Sequence, residues 1–228
     1  MVTFVLVDGG FCRRWVSEDT ATVLAVRGHR VEVVDLPSSA PILRPGRAGE
    51  LRGDGPAGVD ACGTGVVLVG DSGSGMVLAE LADHPEVGHS STWQPCASGG
   101  ALCAGVEEDR FLREVYPRFV ASSLQLMADV SSAPPAARET SYVICEEDQA
   151  VPVAVQLAMS AQADRVERLP SSHDPQLSMP ERLAEILDSA AGLLPAGHPR
   201  WPLSRGTAGT VGTAQHSLTQ RLCLCVGL

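Results

Sequence analysis

A serine, an aspartate and a histidine each follow an apolar run in this chain, in an order that suits acyl transfer through an activated hydroxyl. The run Val66-Val67-Leu68-Val69 ends in Gly70-Asp71-Ser72-Gly73-Ser74-Gly75 and passes directly into the helical pattern Met76-Val77-Leu78-Ala79-Glu80-Leu81. A buried strand that turns sharply into a helix lifts a serine hydroxyl clear of the sheet, and the flanking residues must be small because the backbones crowd there. Ser72 is the expected nucleophile. The spacing reads G-x-S-x-S, so Ser74 stands where the usual pattern has its last glycine. A plain βα turn rich in glycine and serine has the same composition.

Serine at its free pKa is a weak nucleophile and needs an adjacent base, itself oriented by a third group. Thr140-Ser141-Tyr142-Val143-Ile144-Cys145 reads as a strand and leads into Glu146-Glu147-Asp148-Gln149. A second strand, Asp164-Arg165-Val166-Glu167-Arg168-Leu169-Pro170, leads into Ser171-Ser172-His173-Asp174-Pro175. Both candidates follow the carboxyl end of a strand, where open α/β sheets gather their sites. Asp148 is the expected acid, with Glu147 as runner-up, and His173 the expected base. The other histidines, at 29, 84, 89, 198 and 216, lack that context.

With Phe4-Val5-Leu6-Val7-Asp8-Gly9-Gly10-Phe11, Leu24-Ala25-Val26-Arg27-Gly28-His29-Arg30-Val31 and Val34-Asp35-Leu36-Pro37, these stretches give the chain a family resemblance. It resembles the α/β-hydrolases, in particular their small esterase and hydroxynitrile-lyase-like branch. The resemblance implies a mostly parallel twisted sheet with helices on both faces and a short helical lid at about 94–139, in one domain over 1–194. It implies a Ser72-His173-Asp148 triad acting on a small carboxylic ester or related acyl compound. Backbone N–H groups of Gly10 and Gly73 would hold the oxyanion. Each such donor is typically worth about 2.7–4 kcal/mol.

Two positions depart from that family, where histidine is usual at Asp8 and frequent at Asp71. A carboxylate about 4 Å from a developing oxyanion opposes it by about 4 kcal/mol at an effective dielectric of 20, enough to cancel one donor. Arg13 and Arg14 are candidates to neutralise Asp8. A lyase of the same fold, or an impaired homologue that only binds a ligand, therefore stand as alternatives.

Composition narrows the classes. At 228 residues and 44% hydrophobic content the chain can bury one substantial core. Its net charge of -10 argues against binding a phosphate backbone. Lysine is absent, which excludes a Schiff base and a Walker-type phosphate loop. Seven scattered cysteines do not read as a disulfide framework, and Cys223-Leu224-Cys225 lacks partners at zinc-ligand spacing, so a reducing cytoplasm and no metal or cofactor are expected. No apolar run is long enough for a signal peptide or a membrane span. A small-molecule substrate is the expected partner.

The positioning elements follow from periodicity. Residues 2–7 and 30–36 read as strands flanking a helix over 11–26 that stops at Gly28, a right-handed βαβ unit. Residues 38–64 are a poor helix former, 87–93 form a possible but polar strand, and 107–130 carry the helical part of the lid, divided by Pro117. Helices close the domain over 151–161 and 179–191, and 195–228 reads as a weakly structured tail.

Overall fold

The structure is a computed structural model that describes residues 1–35, 66–72, 74, 106–120, 139–192 and 222–226. The sequence readings for 38–64, for the helix at 76–81 and for the strand at 87–93 lie outside these residues, as does Gly73.

Among the described residues six strands make one parallel sheet: β1 Thr3–Val7, β2 Arg30–Val34, β3 Val66–Asp71, β4 Glu139–Cys145, β5 Arg165–Leu169 and β6 Leu222–Val226, in the order β2-β1-β3-β6-β4-β5. Strands β1 and β3 are buried along their whole length, as their unbroken Val/Leu runs require in a sheet covered on both faces. The two edge strands carry most of the charged residues, Arg30 and Glu32 in β2 and Arg165, Glu167 and Arg168 in β5. From β1 the chain runs outward to β2 and then returns to β3 on the other side. That reversal makes β1 and β3 a topological switch point, the usual seat of a site in open α/β sheets.

Helices α1 (Glu18–Val26), α2 (Val153–Ser160), α3 (Pro175–Ser178) and α4 (Pro180–Ala191) follow the strands. On one face of the sheet Phe4, Leu6, Val67 and Val69 pack with Leu24, Leu183, Ala184 and Leu187, so α1 and α4 share that face. On the other, Tyr142, Ile144 and Val151 pack with Val153 and Met159 of α2. Alternation along each strand thus divides the core into two layers. Asp188 ties α4 to the exit of α1, 2.8 Å from His29 Nε2 and 3.1 Å from Arg27.

Helix α1 starts later than periodicity implies. Phe11 has φ 66°, and Asp35 holds both the Arg13 guanidinium (2.8 Å) and the Arg14 N–H (2.7 Å), so 8–13 is a loop. Gly28 ends the helix at φ 89°, as expected. A larger difference lies at the C-terminus. The segment expected to be weakly structured contributes β6, which pairs with β3 from Val69 to Asp71 and with β4 from Glu139 to Val143. A run of five apolar residues suffices for a buried strand but is too short for periodicity to identify.

Residues 106–120 lie over the loop after β1. A helical turn at Glu108–Arg110, a wide turn at Phe111–Val115 and a tight turn at Tyr116–Arg118 break up the expected helix, the last carrying Pro117. Val115 is buried against Trp15, Val16 and Leu177, with Phe111 and Phe119 alongside. Val120 N–H donates to the Phe11 carbonyl at 2.9 Å, and the Arg118 guanidinium stands 4.6 Å over the Trp15 ring.

Leu187 is fully buried in the α1/α4 layer, so Leu187→Ala should lower the unfolding free energy by about 2–5 kcal/mol in urea titration. A chain ending at residue 221 exposes the inner edges of β3 and β4 and should lose cooperative thermal unfolding.

Candidate active site

Parallel strands in register deliver their ends to one rim. Asp71 is level with Val226, and Val226 with Val143, while Cys145 is level with Leu169. The segments that carry Ser72, Asp148 and His173 therefore leave the sheet on the same side.

Ser72 has φ 56°, the left-handed region that a side chain adopts only under constraint. The constraint is the close approach of β1. A Cβ added to Gly9 would stand 2.2 Å from Ser72 Cβ and 2.7 Å from the Asp71 carbonyl oxygen, so only glycine fits at position 9. Ser74 completes the turn. Its hydroxyl accepts the Asp71 N–H at 2.7 Å and lies 2.7 Å from the Val7 carbonyl and 2.6 Å from the Asp71 carbonyl, donating to one of them at a time. The serine that departs from the glycine pattern thus pins the turn to β1. Ser72 is 3% exposed, and its Oγ makes no hydrogen bond among the described residues.

The acid and the histidine meet directly. The loops after β4 and β5 are joined by Glu146 N–H to the Leu169 carbonyl (2.8 Å) and Glu147 N–H to the Ser171 carbonyl (3.0 Å). This brings His173 Nδ1 to 2.8 Å from Asp148 Oδ2, with both side chains fully buried. Asp148 Oδ1 accepts the N–H groups of Ala150 (2.7 Å) and Val151 (2.9 Å), the local turn that aspartate favours. Gln156, also fully buried, donates to Asp148 Oδ2 at 3.1 Å and is fixed to Cys145 by its own carbonyl. The sequence reading missed Gln156, because a glutamine on an apolar helix gives no signal of the loop it holds.

Burial lowers the His173 pKa from its ordinary value, and Asp148 opposes that shift without reversing it. The imidazole is therefore neutral at neutral pH, as a general base must be. Burial also pushes up the Cys145 thiol beneath this loop, which leaves it protonated and inert. Glu147, the runner-up for the acid, makes no side-chain hydrogen bond among those of the described residues, and the histidine is on Asp148.

Of the two arginines that were candidates to neutralise Asp8, one is engaged elsewhere and the other acts weakly. Arg13 is bound to Asp35, and Arg14 exerts only a small pull on Asp8, whose partner is the Ser17 hydroxyl at 2.6 Å. Gly10 is buried in the loop after β1. Among the described residues no group of three or more His, Cys, Asp or Glu side chains is arranged to hold a metal ion, and no helix is long and apolar enough to cross a membrane.

Comparison with solved structures identifies the architecture. Polyneuridine aldehyde esterase matches with a TM-score of 0.65 at 17% identity, covering 83% of this chain and 98% of that one. The fold is that of the α/β-hydrolases. A pyrethroid hydrolase from Sphingobium faniae JZ-2 matches this α/β-hydrolase fold at TM-score 0.63 and 20% identity (84% and 98% covered), and a methylesterase from Arabidopsis at 0.65 and 17% (85% and 100%). No protein-family model and no curated protein matches the chain.

Gly9→Ala should cost at least about 2 kcal/mol in denaturant titration, because Ser72 and the Asp71 carbonyl must both move. A histidine held neutral by burial contributes stability above its unfolded pKa of about 6.5 that is lost as pH falls through the lowered folded value. The Tm of His173→Gln should accordingly fall less steeply than that of the wild type between about pH 7 and about pH 5.

Proposed function

We propose that this chain is a serine hydrolase for small carboxylic esters or related acyl compounds, with Ser72 as nucleophile, His173 as base and Asp148 as orienting acid. The observation that carries the reading is the buried 2.8 Å contact of His173 Nδ1 with Asp148 Oδ2 on the same rim as a serine held at φ 56°. Asp148 fixes the tautomer that leaves His173 Nε2 as the proton acceptor and stabilises the imidazolium that forms. As Ser72 Oγ bonds to the acyl carbon, its proton passes to Nε2. The carbonyl electron pair moves onto oxygen, where the N–H groups of Gly10 and Gly73 would receive it. The imidazolium then protonates the leaving alkoxide, and water repeats the sequence to release the acid and restore Ser72.

The neighbours in fold, an esterase, a methylesterase and a pyrethroid hydrolase, support hydrolysis of an ester. The apolar cover of Trp15, Val115, Phe111 and Phe119 suits an acyl group of low polarity. Ligand binding without turnover is the second reading, favoured by a Ser72 Oγ that makes no hydrogen bond among the described residues and by the buried carboxyl groups of Asp8 and Asp71 at the same rim.

With p-nitrophenyl acetate, the wild type should release a stoichiometric burst of nitrophenol followed by turnover. Ser72→Ala and His173→Ala should each reduce turnover at least about a thousandfold, and Asp148→Asn by a similar factor. Stopped-flow absorbance checks this, and wild-type rates equal to those of Ser72→Ala would refute it.

A further inference from the structure

Three adjacent strands end at an aspartate or one residue before it: Val33-Val34-Asp35, Leu6-Val7-Asp8 and Val69-Gly70-Asp71. Register pairs Val34 with Val7 and Val7 with Gly70, so the next residue of each chain stands abreast of its neighbours, about 4.8 Å apart along the row. Alternation then assigns all three to the α1/α4 face, because Val33, Leu6 and Val69 pack there. Three carboxyl groups form a line that ends one residue before Ser72.

Their surroundings differ. Asp35, at the outer end, has the Arg13 guanidinium and the Arg14 N–H. Asp8, in the middle, receives the Ser17 hydroxyl on Oδ1, while its Oδ2 is buried without a partner among the described residues. Asp71, at the inner end, is 3% exposed and neither of its oxygens has a hydrogen-bond partner in good geometry among the described residues. An ionised carboxylate so placed would forfeit its hydration for weak compensation only.

We propose that Asp8 and Asp71 are carried as neutral carboxylic acids at neutral pH, and that ionisation of Asp71 at higher pH switches off the Ser72 site. The effect on rate rests on the reading of Ser72 as nucleophile; the protonation itself does not.

The groups facing the pair from each packed element agree. Asp174 after β5 and Asp35 after β2 add negative charge, Cys145 of β4 is a neutral thiol, and Arg14 is the cation that acts on Asp8. Burial is the largest influence holding both acids well above the ordinary carboxylate range, with the Asp174 carboxylate adding to it at each of them. Gln176 and the Gly9 N–H pull Asp71 the other way and are outweighed.

The acid proton also has a destination. A cavity of about 10 Å³ is lined by Asp71, Ser17, Thr20 and Gln176 together with Leu183 and Leu187, room for about one water. Thr20 Oγ1 and Gln176 Oε1 are buried without partners among the described residues. A water there would accept the Asp71 O–H and donate to those two oxygens. On ionisation the Asp71 O–H bond breaks, its proton passes through solvent to the medium, and the charge remains beside Ser72.

The direct test is infrared spectroscopy of the full chain with 13C-labelled aspartate at neutral pH. The protonated-carboxyl band should be present and should lose separate components in Asp71→Asn and Asp8→Asn; no protonated band, or one unchanged in both variants, overturns the proposal. In parallel, kcat/KM for p-nitrophenyl acetate should decline at least about tenfold as pH rises from neutral to the alkaline limit of folding in the wild type, with no decline in Asp71→Asn. A decline retained in Asp71→Asn overturns the link to Ser72. If the wild type shows no turnover that depends on Ser72, the hydrolase reading falls while the infrared result still decides the state of the acids. Because each folded pKa lies above the unfolded one, this contribution to stability is complete below about pH 4 and shrinks as pH rises. The Tm of Asp71→Asn should therefore gain on the wild type with rising pH, and a gain independent of pH counts against the proposal.

Discussion

Parallel strands that pair in register must end together, and in this chain the register decides which side chains can meet. The pairing of Val7 with both Val34 and Gly70 puts Asp35, Asp8 and Asp71 in one row and Gly9 against Ser72. The pairing of Cys145 with Leu169 sends two loops off the sheet side by side, and two backbone hydrogen bonds between them bring Asp148 to His173. A slip of one residue would turn each of these side chains to the opposite face. Chemistry at the rim is thus a consequence of packing in the Val/Leu core several residues below.

Burial gives the rim two opposite electrostatic settings. Around Asp148 the chain supplies donors from Ala150, Val151, Gln156 and the imidazole, so a charge can be held without solvent. Around Asp71 it supplies almost none, and the carboxyl keeps its proton. Two aspartates on one rim therefore sit in opposite surroundings because of what their loops offer. Asp8 and Asp71, which as anions would oppose an oxyanion, are compatible with esterase chemistry once they are neutral.

Much of this was legible in the sequence, because apolar runs bounded by glycine and proline mark strands and the residues after them mark the rim. Ser72, Asp148 and His173 were named on that basis, and Gly28 from its place after a helix. Less legible were features without local periodicity. Leu222–Val226 enters the sheet only because β3 and β4 leave a gap of one strand between them. Gln156 and Ser74 act through hydrogen bonds to backbone brought close by the fold, and Arg13 turns to Asp35 because β2 ends beside β1. Side-chain partners across distant segments follow from register, which composition does not encode.

The central claim, that Ser72 is activated by the His173–Asp148 pair, is tested most directly by treating the full chain with a fluorophosphonate and mapping the adduct by peptide mass spectrometry. The account predicts one adduct, on Ser72, that disappears in His173→Ala at neutral pH. An unmodified wild type, or labelling of Ser72 that is indifferent to the loss of His173, would contradict it.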